Sequence, residues 1–380
     1  MGGVLWLYGP SGVGKTSVGW ELFRRFEAAG VPAGYVDADQ VGLCYPAAAE
    51  DPDNHRLKAR NVGGVLRTFR AAGARSLIVS GYLNSAEVAD GYAAWLPGGS
   101  VVWCRLRVGE GELRERFHRR GWATHLVEET VAEAAELDRT DFADLCVDTS
   151  GMSVAAVADQ VREQVRERVA SRPRGPAVAE GGAGPGSPAG TAGGPVPVLW
   201  LCGPPAVGKS TIGYEVFTQV NRSGVKAAYV DLAQLGFCSP VPDGDEVRIA
   251  NLAAVWPNHL AAGARCLVVT GSVDSQEAVS RYAGALPGAA LTVCRLSADP
   301  AELVARVMRR GRGGGPSLAG DELRGQPDDI LRQRAARAVR TAGELDRVGL
   351  GDVRVDTGGR SVQEAAGLVR AGTGDWPDLT

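Results

Sequence analysis

The chain has 380 residues, 44% of them hydrophobic and 22% charged, with a formal net charge of −3. That length exceeds one ordinary domain, and the composition fits a soluble globular protein of two domains of about 170 residues, each able to bury a core. The mixed, nearly balanced charge leaves no footprint for nucleic acid or for a membrane surface, so neither is expected as a partner.

The seven cysteines (Cys44, Cys104, Cys146, Cys202, Cys238, Cys266, Cys294) are odd in number and form no C-x-x-C. Buried free thiols in a reducing cytoplasm are expected. None of the four histidines pairs with a cysteine at metal spacing, so no zinc site is expected. The first residues lack a basic n-region, and no stretch approaches the roughly 20 apolar residues of a membrane span. A cytoplasmic location is expected.

In chain order, residues 4–8 (VLWLY) read as a short apolar strand with Trp6 in the core. GPSGVGKT (9–16) follows and fits G-x-x-x-x-G-K-[ST]. Between a strand and a helix, such a loop turns backbone N–H groups onto phosphate oxygens, and the helix N-terminus adds a favourable field. Gly9, Ser11, Gly12, Val13, Gly14, Lys15, Thr16 and Ser17 are therefore the expected nucleotide-binding residues. Lys15 would reach the β- and γ-phosphates of ATP, and the Thr16 hydroxyl would bind Mg²⁺. The helix after the loop carries Val18, Leu22 and Phe26 on one face. AGYVD (33–37) is the second strand, residues 57–73 a helix ending at Gly73, and SLIVS (76–80) the third strand. SVVWCRL (100–106) and LCVD (145–148) are the fourth and fifth, and residues 154–169 form a closing helix.

Residues 171–197 are Gly, Ala and Pro with almost no large apolar side chain, and read as a flexible linker. The chain then repeats itself. LWLCGPPAVGKST carries a second loop, GPPAVGKS (203–210), with Gly203, Ala206, Val207, Gly208, Lys209, Ser210 and Thr211 as expected nucleotide-binding residues. Ser210 takes the metal position of Thr16; Pro205 and Ala206 stand where the first copy has Ser11 and Gly12. YVDADQVGLC (35–44) returns as YVDLAQLGFC 194 positions on, AAGARSLIVSG (71–81) as AAGARCLVVTG at 190, and ELDR and VDT at 208. The shifting offset places insertions in connecting loops. The expected organisation is domain 1 (1–170), linker (171–197), domain 2 (198–372) and a tail (373–380). The expected fold is α/β: two tandem P-loop NTPase domains, each a parallel five-stranded sheet with helices on both faces.

Each copy resembles the small P-loop kinases of the nucleoside-monophosphate-kinase-like group, such as shikimate, gluconate and adenylylsulfate kinases. The likeness rests on four features: the phosphate loop, VDAD (36–39) ending the second strand, the arginine-rich LRERFHRRGW (113–122) and LVARVMRRGR (303–312), and VDT (147–149, 355–357). It implies ATP and Mg²⁺ as cofactors and a lid whose arginines surround the moving phosphate: Arg116, Arg119 and Arg120 in the first copy, Arg309, Arg310 and Arg312 in the second. No guanine-specificity N-K-x-D is present.

Asp37 and Asp39 are two apart and, in a strand, would face the loop together. One would organise Mg²⁺ through water and the other accept the proton of an attacking hydroxyl. The second copy keeps Asp231 but has Ala233 in place of Asp39. The third strand ends in IVSG or VVTG without an acid, so the metal would lean on Thr16 and Asp37. Lys15, Asp37, Asp39, Lys209 and Asp231, with the three first-copy arginines, form the expected catalytic set. Arg56, Lys58, Arg60 and Asn61, with Arg248 and Asn251, are expected around a small-molecule acceptor that is anionic or bears a hydroxyl. Trp200 is expected in the core and His125 in solvent. The leading expectation is a tandem small-molecule kinase with the N-terminal lobe the better catalyst. Two others stand beside it: a nucleotide-binding regulatory or scaffolding protein, and a C-terminal pseudoenzyme supporting the first lobe.

Overall fold

A computed structural model describes residues 3–97, 100–120, 124–171, 194–240, 244–315 and 318–378. The expected linker lies, for residues 172–193, outside the described residues. The strands are β1 (Val4–Tyr8), β2 (Ala33–Asp37), β3 (Cys44–Tyr45), β4 (Ser76–Ser80), β5 (Val101–Arg107), β6 (Leu145–Asp148), β7 (Val196–Cys202), β8 (Ala227–Asp231), β9 (Cys238–Ser239), β10 (Cys266–Thr270), β11 (Ala289–Ser297) and β12 (Val353–Asp356). The helices are α1 (Lys15–Ala28), α2 (His55–Ala71), α3 (Ala86–Ala93), α4 (Glu110–Arg120), α5 (Val127–Leu137), α6 (Val154–Ser171), α7 (Lys209–Arg222), α8 (Glu246–Ala261), α9 (Gln276–Ala283), α10 (Pro300–Gly311), α11 (Asp328–Val348) and α12 (Val362–Gly372).

Two compact units form. Unit 1 comprises Met1–Gly42, His55–Gly186 and Gly236–Val247; unit 2 comprises Leu43–Asn54, Ser187–Leu235 and Arg248–Thr380. In unit 1 the sheet order is β6-β5-β1-β4-β2-β9. The first five strands are parallel, and β9 is an antiparallel edge paired through Ala33–Ser239 and Gly34–Cys238. β1 is buried throughout, as parallel strands covered on both faces require. The two covering layers follow from neighbouring residues of β2. A Cβ at Gly34 would meet Phe69 of α2, while the Tyr35 ring lies against Gly19 of α1. Successive strand positions point to opposite faces, so α1 and α2 lie on opposite sides.

Unit 2 repeats this plan with the order β12-β11-β7-β10-β8-β3, its edge strand β3 antiparallel to β8. The positions of Gly34 and Phe69 hold Ala228 and His259 there, both fully buried. Burial pushes the His259 imidazole down to about 4, so it packs as a neutral ring. The α/β class agrees with the sequence reading; the strand count does not, since each sheet has six strands rather than five. The sixth is a two-residue strand that follows the acidic turn of the other sequence copy, too short to carry a periodic signal.

Trp6 and Trp200 are core residues, 0% and 1% exposed. Six of the seven cysteines are buried free thiols; Cys146 is exposed, because β6 is the opposite edge strand of its sheet. Among the described residues no helix is long and apolar enough to cross a membrane.

Candidate functional site

In each unit the parallel strands run second-third-first-fourth-fifth, so the chain leaves the first strand towards one side of the sheet and later returns on the other. The crevice at the carboxyl end of such a switch-point strand is where ligands bind in open α/β sheets. Residues 9–16 and 203–210 occupy that position, after β1 and β7. Gly14 and Gly208 cap α1 and α7 in the left-handed region, with φ of 106° and 104°, and neither helix has a side-chain cap or a first-turn acid. By contrast α3, α9 and α12 are capped by Ser85, Ser275 and Ser361. Helix N-termini left in this way offer their unsatisfied N–H groups to an anion.

Lys15 Nζ donates to the carbonyls of Gly9 (2.8 Å) and Pro10 (3.0 Å), and Lys209 Nζ to those of Gly203 (3.0 Å) and Pro204 (2.9 Å). Each lysine thus lies folded along its own loop. Burial pulls Lys209 down to about 8, with Asp231 partly offsetting it. The Gly12-to-Ala206 change has a steric partner. A Cβ on Gly12 would come within 2.8 Å of Phe117, whereas the matching residue in unit 2 is Val307, which packs with Ala206. Ala206 keeps a positive φ of 62°, a left-handed conformation that costs roughly 1–2 kcal/mol in a residue with a Cβ.

The acid pair assembles differently from the sequence expectation. β2 ends at Asp37, so Asp39 lies in the turn beyond it and strand alternation does not align the two. The Asp37 carboxylate instead accepts from the Asp39 backbone N–H at 3.0 Å and from Thr16 Oγ1 at 2.8 Å. Lys58 Nζ then donates to Asp39 at 2.8 Å. Burial, reinforced by Asp39, pushes Asp37 up to about 6. Burial also acts on Asp39, but the ammonium groups of Lys58 and Lys15 outweigh it and hold that carboxyl below its usual range. In unit 2, Ser210 Oγ donates to Asp231 at 2.6 Å and the backbone N–H of Ala233 donates to it at 3.0 Å, as that of Asp39 does to Asp37, but the second acid is absent. At the end of β4, where an acid would be sought, Ser80 bonds the buried Tyr35 hydroxyl at 2.7 Å; Thr270 and Tyr229 repeat this at 3.1 Å. The carboxylate that meets the loop hydroxyl therefore comes from β2 or β8, one strand further out.

The arginines divide into two kinds. Arg116 and its unit 2 counterpart Arg306, which the sequence reading passed over, are fastened against the phosphate loops. The 190-residue offset that pairs the neighbouring strands already matched these two residues. Arg119 is exposed, 3.8 Å from Glu115, and the side chain of Arg120 lies outside the described residues. Arg309 and Arg310 join Lys209, Ser210, Arg306 and Arg360 around a cleft of about 380 Å³ over the unit 2 loop. Arg312 pairs with Asp328 at 3.6 Å.

Between α10 and α11 the chain crosses this region in a way the sequence did not disclose. The buried Asp321 carboxylate accepts from Arg310 Nε at 3.1 Å. Gln234, in the turn after β8, donates to the Ala319 carbonyl at 3.1 Å, and Leu323 packs with Ala206 and Val307. These contacts strap the connection over the loop and over the position where unit 1 has its second acid.

Of the residues expected around an acceptor, Lys58 does reach the acid pair. Asn61 and Asn251 are fully buried and donate to the carbonyls of Val41 (2.6 Å) and Leu235 (2.7 Å), so they hold the turns after β2 and β8 rather than face a cleft. Arg60 lies over the Trp95 ring at 5.6 Å, Arg56 is exposed, and Arg248 is half-buried. His125 is exposed.

The strand order and loop geometry define both units as P-loop α/β folds. No family model matches the chain, and no curated protein sequence matches it. Among solved structures, it is similar to a sugar kinase from a Janibacter species, with 13% identity over 43% of this chain and 94% of that one and a TM-score of 0.33. A gluconokinase from Sinorhizobium meliloti is similar at 19% identity over 48% and 94%, with a TM-score of 0.31. A Mycobacterium tuberculosis APS kinase in complex with AMPPNP and APS is similar at 18% identity over 48% and 99%, with a TM-score of 0.31.

Proposed function

We propose that the protein is an ATP-dependent phosphotransferase acting on a small molecule, with unit 1 as its catalytic lobe. The observation that carries this reading is the continuous chain Thr16–Asp37–Asp39–Lys58 at the mouth of the phosphate loop. Lys15 sits on the loop to neutralise and orient the transferred phosphate. The Thr16 hydroxyl and the Asp37 carboxylate form an all-oxygen pair of the kind a hard divalent cation takes, so Mg²⁺ fits there. When bound, Mg²⁺ would supply charge neutralisation for the nucleotide phosphates. Asp39 is ionised and partly exposed, positioned by Lys58 to accept the proton of an acceptor hydroxyl. A weak base suffices, because phosphoryl transfer rests mostly on positioning and electrostatics.

Unit 2 is proposed to bind nucleotide without efficient transfer. Ala233 removes the second acid, and the strap lies across the matching position. The same two observations favour a second reading for this unit, that of a nucleotide-responsive regulatory lobe. The test is transfer of label from γ-labelled ATP, with Mg²⁺, to a panel of sugars, hydroxy acids and nucleotides. A labelled product establishes the kinase and names its acceptor class. Binding of ATP with no transfer to any acceptor moves the assignment to the regulatory reading for both units.

A further inference from the structure

Arg116 is placed where a lid arginine would be sought, yet its donors are already committed. A guanidinium carries five N–H groups. Nε and Nη2 donate to Glu112 Oε1 at 3.0 and 2.7 Å, Nη1 to the Val13 carbonyl at 3.0 Å and to Thr149 Oγ1 at 3.1 Å, and Nη2 also to the Thr149 carbonyl at 2.9 Å. All five are accounted for, so none remains for a phosphate oxygen. Glu112 is itself fixed by the Gly151 N–H at 2.8 Å. That N–H first, and then Arg116, hold the Glu112 carboxyl below its usual range. Unit 2 builds the same arrangement from its own residues: Arg306 donates to Glu302 at 2.8 Å, to the Val207 carbonyl at 2.9 Å, and to the hydroxyl and carbonyl of Thr357 at 2.9 and 2.8 Å.

The acceptor in the loop explains what such a fork does. Val13 and Val207 each precede the glycine that caps the nucleotide-site helix. In a planar trans peptide the C=O of one residue and the N–H of the next point in opposite directions. Holding the Val13 carbonyl towards the guanidinium therefore turns the Gly14 N–H the other way, away from α4. Glycine at this position has little torsional preference of its own, so an external hold is needed to keep that peptide in one orientation. The same guanidinium grips Thr149, buried at the end of β6, whose hydroxyl donates to the Arg107 carbonyl at 3.0 Å. The loop is thereby referenced to the sheet rather than to a moving segment.

We infer that Arg116, and Arg306 in unit 2, are positioning residues for phosphate recognition, each fixing the peptide before the capping glycine so that its N–H faces the bound anion. This rests on the nucleotide-binding reading of the two loops. The test uses the full chain in a Lys209→Ala background, so that unit 1 is read alone, and compares calorimetric affinities for ATP, inorganic tripolyphosphate and adenosine. Arg116→Gln and the milder Arg116→Lys, which keeps the charge but not the fork, are expected to weaken ATP and tripolyphosphate about tenfold or more, with adenosine affinity changed less than about twofold. Arg306→Gln in a Lys15→Ala background is expected to do the same for unit 2. A parent protein that binds ATP as before in both Arg116 variants, or one that loses adenosine and ATP equally, overturns the inference while leaving the nucleotide reading intact. Failure of the parent to bind either ATP or tripolyphosphate overturns both.

Discussion

The two units share a strand order, a phosphate loop, a lysine along the loop and an arginine fastened behind it, but they differ in what stands opposite the loop. Unit 1 places a second carboxylate there, with a lysine to hold it. Unit 2 has only the methyl of Ala233 at that position and lays a strap from the α10–α11 connection across it. Phosphate binding needs only the shared parts, because it draws on backbone N–H groups, a helix N-terminus and one ammonium. In the proposed reaction, transfer also draws on a group that meets the acceptor, and the second carboxylate proposed for that role is present in unit 1 and absent from unit 2. The Gly12-to-Ala206 change belongs to the same divergence: the added methyl is matched by loss of the Phe117 ring, and the space becomes a small apolar cluster that Leu323 of the strap joins.

The sharpest way to break this comparison is to remove each lysine in turn. Lys15→Ala is expected to lower transfer at least about a hundredfold, the scale of losing one transition-state electrostatic partner. Lys209→Ala is expected to lower it less than about threefold. Equal losses in a steady-state assay would show the units to be equal partners. Next in size, Asp39→Asn is expected to reduce kcat about tenfold or more while ATP affinity stays within about twofold, because the group proposed to take the acceptor's proton is lost while the phosphate loop is untouched. Unchanged turnover would remove Asp39 from the reaction.

The strap supplies a third test. Gln234→Ala combined with Asp321→Asn is expected to raise the rate of limited proteolysis within residues 318–326 several-fold, with global stability changed by about 1–3 kcal/mol, the scale of losing buried hydrogen bonds. Unaltered cleavage would mean that these two contacts do not hold the segment. The smallest effect concerns pH. With Lys209 pulled down to about 8, its ammonium is present below that pH and lost above it. Nucleotide affinity of unit 2, read in a Lys15→Ala background, is expected to fall as pH rises past about 8, by at most about tenfold per pH unit. A flat profile from pH 7 to 10 would show that the lysine keeps its proton.

Much of this was legible in the chain. The apolar runs, the two G-x-x-x-x-G-K-[ST] loops and the repeat yielded two parallel α/β domains, because continuous burial of central strands and glycine-rich turns leave local marks. The partnership of Thr16 with Asp37 was within reach, since a loop hydroxyl and a strand-end acid were both visible. Arg306 was missed although its match to Arg116 lay in the repeat offset; charge clustering drew attention to Arg309, Arg310 and Arg312 instead. Asn61 and Asn251 looked like polar groups facing a cleft, and only burial showed them holding turns. Asp321 and Gln234 carried no sequence signal, because their roles depend on where an insertion lands.

By itself, the sequence determined the class of fold, the place of both phosphate loops and the loss of one acid in the second copy, all of which rest on residue type and short-range order along the chain. Tertiary structure alone decided the sixth strand of each sheet, the bond from Lys58 to Asp39, the commitment of Arg116 to Val13 and Thr149, and the strap across unit 2. Each of these depends on hydrogen-bonding groups far apart in sequence meeting at a few ångströms, and neither periodicity nor composition records such meetings.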